Sequence, residues 1–310
     1  MSGDKDTKFH VKPEWNVSRE TLAREHCYMC SSSALDNSFQ LHDYSVSSEV
    51  FCIQKCTECG FRQTSPIPKD LDPYYDSPDY ISHSKTTRGI INKLYHLAQG
   101  YNLWYKYSIM NSVSPGNEWL DYGCGAGDFL LCARSKGKNV HGVEPHSESR
   151  RRLSEQSVKV KTPDAYYAES SMVEAISMWH VLEHVEDPLT LLKKHHSNLT
   201  ENGVLLIALP NPDSHDAAHY KDRWAAYDVP RHLWHFRESD IKKLAQKSGF
   251  AVQDVKALHL DAFYISMLSE KYRNGNLLAA LWQAFKSNFI AWRKKRPWSS
   301  QIYILSKKGH

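Results

Sequence analysis

Residues 119–128, Trp-Leu-Asp-Tyr-Gly-Cys-Gly-Ala-Gly-Asp, constrain the fold more than any other stretch of this chain. Leu120 and Tyr122 suit a buried strand. Gly123, Gly125 and Gly127 let the backbone turn tightly, and Phe129-Leu-Leu-Cys-Ala-Arg opens a helical pattern. A strand that passes through such a turn into a helix brings bare backbone against a ligand at the carboxyl edge of a parallel sheet. The geometry suits a nucleotide-type cofactor.

Strands and helices then alternate. Val140-His-Gly-Val-Glu144 is a short apolar strand ending in a carboxylate, placed where an acid would accept both hydroxyls of a ribose. Ala175-Ile-Ser-Met-Trp179 is the next parallel strand, followed at once by His180-Val-Leu-Glu183-His184-Val-Glu-Asp-Pro188. Residues 189–199 make a helix, and residues 203–210 form a further buried strand. Elements of this length in this order mean a doubly wound α/β sheet. A nicotinamide-binding domain shares the glycine turn and the acid, but its fingerprint is Gly-x-Gly-x-x-Gly, whereas the spacing here is Gly-x-Gly-x-Gly.

Four of the seven cysteines form Cys27-x2-Cys30 and Cys56-x2-Cys59. A two-residue gap lets both thiolates of a tight turn face one ion, and two such turns complete a tetrahedral site. Four thiolates leave no open position, so the expected metal is a structural zinc. Cys52 and His26 are neighbouring alternatives for one ligand, and free thiols are the plain alternative to the whole site. Between the two pairs, residues 39–44 and 50–53 alternate as a small hairpin would. Residues 1–70 hold eight Lys/Arg against ten Asp/Glu, a balance that argues against nucleic acid as partner.

A proline-bearing linker at 64–73 leads to a tyrosine-rich stretch at 74–83 that could close over a ligand, and residues 88–110 read as an amphipathic helix through Ile90, Leu94, Leu97, Tyr101 and Tyr105. The expected organisation is a zinc-ribbon module at 1–70, a linker and lid helix at 71–114, and a cofactor domain at 115–310. A helical basic insertion interrupts the last of these at about 260–298. The amino terminus carries no apolar signal core, and no run approaches the ~18 apolar residues of a membrane span, so the cytoplasm is the expected compartment.

The glycine turn, Glu144 and the Trp-His-x-x-Glu-His-Val-x-Asp-Pro segment together resemble class I S-adenosylmethionine-dependent methyltransferases. Within these the chain is most similar to the branch holding ubiquinone-biosynthesis-like and sugar methyltransferases. The resemblance covers about residues 115–255 and the last strand, Gln301-Ile-Tyr-Ile-Leu. It implies a seven-stranded, mostly parallel Rossmann-like sheet. It also implies that Asp121 and the turn Gly123, Cys124, Gly125 and Gly127 bracket the methionine part of S-adenosylmethionine, that Glu144 holds the ribose, and that Trp179 and His180 lie beside the sulfonium and carboxylate groups. Glu183 and His184 would shape that loop. Family members carry an acid in a clear third strand, but residues 158–167 are short and irregular here, and Asp164 is the one candidate for the adenine contact.

Acceptor chemistry is expected in Asn211-Pro-Asp-Ser-His215 and, above all, in residues 224–236, which pack Tyr227, Asp228, Arg231, His232 and His235 into one loop. The form Asp-x-Pro-x-His-x-x-x-Phe resembles the substrate-side loop of the same family, where the histidine lies close to the transferring methyl. The zinc module before a tyrosine-rich segment resembles sugar C-methyltransferases whose amino-terminal zinc domain covers the active site and whose Tyr-x-Glu-His group serves deprotonation. Here His232 aligns with that histidine, while Arg231 replaces the glutamate and Val229 the tyrosine. His232, Tyr227 and His235 are the catalytic candidates, with O-, C- and N-transfer all open.

Residues 271–310 hold nine Lys/Arg and no acid. Within them Leu278, Leu281, Trp282, Phe285, Phe289 and Trp292 recur at helical spacing, followed by Arg293-Lys-Lys-Arg296. Packing as a cap on the domain or at a homodimer contact is the ordinary use of such a stripe; docking of residues 277–296 on a membrane surface is the other. Two functional readings result. One is a methyltransferase acting on a small molecule such as a sugar or another anionic metabolite. The other is a non-catalytic methyltransferase-like protein whose zinc module and basic segment recruit a partner or a membrane-linked substrate.

Overall fold

The computed structural model describes residues 21–75, 90–114, 116–170, 172–295 and 297–308, with the backbone alone for 90–95. Residues 76–83 of the tyrosine-rich stretch, the side chains of Ile90 and Leu94, and Arg296 lie outside the described residues. A small antiparallel sheet comes first: β1 (Leu35–His42), β2 (Val50–Cys56) and β3 (Arg62–Ser65). The larger sheet comprises β4 (Glu118–Tyr122), β5 (Asn139–Val143), β6 (Lys159–Lys161), β7 (Val173–Trp179), β8 (Leu199–Pro210), β10 (Phe250–Ala257) and β11 (Ser300–Lys307). Between β8 and β10 runs the two-residue strand β9 (Trp234–His235).

The helices are α1 (Ile90–Val113), α2 (Asp128–Ser135), α3 (Ser147–Glu155), α4 (Pro163–Ala168), α5 (Pro188–Asn198), α6 (His215–Tyr220), α7 (Glu238–Lys247), α8 (Asp261–Tyr272) and α9 (Leu277–Lys294). Local chemistry sets several of their starts. Asp187 caps α5 by accepting from Thr190 N–H, with Pro188 in the first turn, while Ser214 and Asn276 cap α6 and α9 in the same way.

The large sheet runs in the order β10-β11-β8-β7-β4-β5-β6, and β11 alone runs opposite to the other six strands. This is the seven-stranded, mostly parallel Rossmann-like sheet that the family resemblance implies. Val204–Pro210 of β8 is buried throughout, as a central strand covered on both faces must be. The chain reverses its winding direction beside β4, so the glycine turn opens at the switch point of the sheet.

The small sheet is not completed by the first 70 residues. Its order is β9-β3-β2-β1: Trp234 and His235, from the loop read as the acceptor site, supply the fourth strand. One core follows from this, in which Cys27, Met29, Cys56 and Phe61 pack with Leu233, Trp234 and Phe236. The insertion between β10 and β11 is the antiparallel pair α8 and α9. α1 extends as its period suggests, but Leu97 and Tyr101 face solvent and the buried part is its carboxyl end, Ile109 and Met110. Among the described residues no helix is long and apolar enough to cross a membrane.

Candidate functional site

The glycine turn leaves β4 with Gly123, Gly125 and Gly127 all at positive φ. A side chain at Gly123 would strike Val181, whereas nothing stands within 4 Å of a Cβ built on Gly125, so that the backbone there faces open space. Glu144 closes the other side. Its Oε2 accepts from Gly125 N–H at 2.8 Å and its Oε1 from His146 N–H at 2.9 Å, which fixes a buried carboxylate at the carboxyl ends of β4 and β5. Cys124 is buried behind the turn, with Sγ near Gly142 of β5. Asp164 is exposed in the first turn of α4.

Asp121 pairs in register with Gly142 on one side and Ser177 on the other, and Ser177 Oγ donates to its carboxylate at 2.6 Å. Burial pushes Asp121 up to about 7, against the pull of the Ser177 hydroxyl and the Lys106 ammonium. Lys106, from α1, is pulled below the ordinary lysine range by burial, while Asp261, Asp121 and Asp128 work against that shift. Its Nζ lies 4.8 Å from the ring of Trp179, which also packs edge-on to Phe129. Trp179 Nε1 is buried and has no hydrogen-bond partner.

His180 sits at φ 58° immediately after β7. Its Nε2 is 2.7 Å from Asp261 Oδ2 at the start of α8, and its Nδ1 is 3.5 Å from Glu183 Oε1. Burial would lower its pKa, but Asp261 and then Glu183 outweigh it and raise the group to about 9. Reading from sequence missed Lys106 and Asp261. Each is a single charged residue in a helix, and only the fold brings them to the glycine turn.

On the acceptor side, His232 is buried with Nδ1 donating to Ala226 O at 2.9 Å, which leaves the Nε2 lone pair free of that bond. The His184 ring stands edge-on to it at 4.6 Å. Burial and then the His232 charge push His184 down to about 4, so it is neutral at physiological pH. Glu183 is buried beside both, with ligand atoms of the three side chains within 4.8 Å of one another, and neither of its oxygens makes a hydrogen bond. Burial opposes its ionisation, but His180, His232 and His184 hold it below the usual carboxylate range. Glu183, His232, Trp224, Ala226, Trp234 and His235 line one small pocket.

The other two catalytic candidates are more enclosed. Tyr227 is buried against Phe39, Trp224 and His235, and burial raises its phenol to about 12. His235 Nε2 lies 3.0 Å from Thr64 Oγ1, which in turn donates to His232 O at 2.6 Å. Thr64 therefore accepts from His235 and ties β3 to both histidines. Burial keeps His235 neutral, with a pKa well below the ordinary value.

Arg231, which stands where the related loop has glutamate, is 1% exposed and makes no contact with the pocket. It chelates Asp228 through Nε (3.0 Å) and Nη2 (2.6 Å). It also reaches Asp43 Oδ1 (2.9 Å) beyond β1 and donates to Tyr74 O (2.9 Å). Burial alone would lower its pKa, but Asp228 and Asp43 raise it instead.

Cys27, Cys30, Cys56 and Cys59 converge, with all four Sγ atoms within 4.8 Å of one another and the pairs Cys27–Cys59 and Cys30–Cys56 at 3.5 Å. A zinc tetrathiolate with Zn–S of ~2.3 Å needs sulfurs ~3.8 Å apart, so the donor set fits that ion. Cys52 and His26 are not part of the group. The knuckles rest on the larger domain: Arg237 donates to Cys59 O at 2.7 Å, Lys247 to Met29 O at 2.9 Å, and Tyr28 OH to Asp187 at 2.7 Å.

A family model described as a methyltransferase domain matches residues 108–255. The ubiquinone biosynthesis O-methyltransferase of Psychrobacter arcticus is 25% identical over 161 residues, covering 46% of this chain and 63% of that protein, so the match spans less than two thirds of its relative. The crystal structure of magnesium protoporphyrin IX methyltransferase from Synechocystis PCC 6803 with bound SAH has the same fold. It aligns with a TM-score of 0.50 at 12% identity over 76% of this chain and 97% of that one. Residues 108–255 thus match a methyltransferase domain and carry the fold of an S-adenosylmethionine-dependent methyltransferase.

Proposed function

We propose that the protein is an S-adenosylmethionine-dependent methyltransferase acting on a small-molecule acceptor. The observation that carries this reading is the grip on Glu144 by the N–H groups of Gly125 and His146, which presents a fixed carboxylate beside open backbone. Glu144 would accept the hydroxyls of the cofactor ribose. Asp121, Lys106 and the unpartnered Nε1 of Trp179 offer the charges and the hydrogen bond that an amino-acid end needs. When bound, S-adenosylmethionine supplies an already activated methyl group, so the chain's own task is alignment and proton removal.

His232 is the residue for that proton. The Ala226 carbonyl fixes its tautomer and leaves Nε2 to receive a proton from an acceptor hydroxyl or acidic carbon. Arg231 is spent on Asp43 and Asp228, and the carboxylate beside His232 is not the one of the Tyr-x-Glu-His pattern but Asp228, whose Oδ2 lies 3.9 Å from His232 Nε2. The acceptor is a sugar or another anionic metabolite, modified at O, C or N. The four cysteines hold a structural zinc, since four thiolates leave no coordination position for substrate.

Isothermal titration calorimetry with S-adenosylmethionine tests the reading. Wild type binds it, and Glu144→Ala weakens binding about 10- to 100-fold through loss of a charged acceptor for two hydroxyls. No detectable heat with wild type would overturn the enzyme reading in favour of a non-catalytic binding protein, and an unchanged affinity in Glu144→Ala would refute the ribose assignment.

A further inference from the structure

α9 is amphipathic in the reverse of the usual sense. The face packed on the protein carries Ala280, Gln283, Ala284, Ser287 and Ala291. Its large apolar residues point outward: Leu278 is 78% exposed, Trp282 72% and Trp292 69%, with Leu281, Phe285 and Phe289 along the same row. The expectation that this stripe caps the domain is therefore overturned. Small inward residues let the helix lie close, and Ser287 Oγ donates to buried Asp216 at 2.9 Å, the same carboxylate that holds Trp224 of the acceptor loop. The exposed row spans positions 278–292, about 21 Å at 1.5 Å per residue.

α1, to which α9 is linked, exposes further apolar residues. Asn288 donates to His259 O, and the His259 ring packs against Tyr105 of α1, whose outer face exposes Leu97, Tyr101 and Trp104. A contiguous outward row of this kind marks a contact surface, since solvated proteins rarely leave one uncovered. The charges beside it select what covers it. Lys286 and Arg293 follow Trp282 and Phe289 by one turn, so they border the stripe, and Lys294 and Lys295 extend the basic edge. Residues 271–310 contain no acid. A twofold contact between two copies of α9 would set Lys286 against its like with nothing on the helix to offset it. An anionic lipid surface complements both features, because aromatic rings enter the headgroup boundary while lysines and arginines meet lipid phosphates.

We infer that α9 is an interfacial docking helix that holds the protein on anionic membrane surfaces. This placement is independent of methyl transfer, and the two are tested apart: calorimetry with S-adenosylmethionine reads the cofactor site, whereas vesicle binding reads this surface. The full chain is sedimented with vesicles of phosphatidylcholine alone and with about 30 mol% phosphatidylglycerol. Wild type binds the anionic vesicles and releases at high salt. Trp282→Ser with Phe285→Ser, and separately Arg293→Glu with Lys294→Glu, each weaken binding roughly tenfold or more while melting is unchanged, since all four side chains are exposed. Equal binding to neutral and anionic vesicles, or wild-type binding by the Ser/Ser variant, overturns the inference. So does a wild-type dimer that the Ser/Ser variant dissociates without any vesicle binding, which would assign the stripe to a second copy of the chain.

Discussion

Arg231→Ala should unfold the boundary between the cysteine module and the acceptor loop, and the cost can be worked from the contacts. The substitution removes two bonds to Asp228, one to Asp43 and one to the Tyr74 carbonyl. Breaking a buried ion pair from one side costs roughly 3–5 kcal/mol, because the abandoned charge stays buried. Asp43 is not wholly abandoned. It still accepts from Ser45 N–H, Val46 N–H, Ser47 N–H and Ser47 Oγ, and the Asp228 side chain is 20% exposed and can turn to water. The low end applies, about 3 kcal/mol. Asp43→Asn should cost less, since Asp228 still pairs the guanidinium, and the double variant should show a coupling of about 1–2 kcal/mol.

The assay is urea denaturation followed by tryptophan fluorescence, repeated across acid pH. Burial raises the pKa of Asp228, but Arg231 and then the nearby histidines pull it below 3.8. A depressed folded-state pKa means that Asp228 contributes stability above its unfolded value, which is lost as pH falls through the folded one. That part of the acid limb should vanish in Arg231→Ala. A loss under about 1 kcal/mol with an unchanged acid limb would refute the argument that this triad joins the two parts.

Two further outcomes follow from the same geometry. The isolated chain should hold about one zinc, and Cys56→Ser should lose it and lower the stability of the entire chain by at least about 3 kcal/mol, because the module shares its sheet and core with β9. Metal analysis with calorimetric melting checks this, and a variant that melts like wild type would exclude a structural zinc. Asp261→Asn should drop the His180 pKa from about 9 toward its ordinary 6.5. In wild type the raised value means stability that is fully present below 6.5 and lost as pH rises through 9, so the variant should show a flatter alkaline limb. An NMR titration of the imidazole reads the shift directly, and an unmoved value would remove Asp261 as its cause.

The parts of the molecule legible in the sequence are those whose information is local. The glycine turn, the alternation of strands and helices and the two Cys-x2-Cys knuckles each declare themselves within about ten residues, because φ sign, period and ligand spacing are short-range properties. The parts that were not legible depend on distant juxtaposition. Arg231 meets Asp43 across 188 positions, and Trp234-His235 becomes a strand only because β3 offers an edge to it, since two residues carry no period. Lys106 and Asp261 come from two helices far apart in sequence, α1 and α8, with no motif to flag them.

α9 shows a subtler limit. The spacing 278, 281, 282, 285, 289, 292 identifies one face of a helix, but the same spacing serves a face turned inward or outward. The orientation lies instead in the complementary positions, Ala280, Ala284, Ser287 and Ala291. Small residues there let the helix backbone approach the domain closely, and the Ser287 hydroxyl satisfies Asp216, a buried acid also held by Trp224 and Ser299. Had the aromatic row faced inward, Asp216 would lose one of its three side-chain donors, leaving a buried carboxylate short of a bond that is worth roughly 1–3 kcal/mol. One buried acid in the acceptor region thus helps set which way the helix faces, and with it which surface the protein shows to its surroundings.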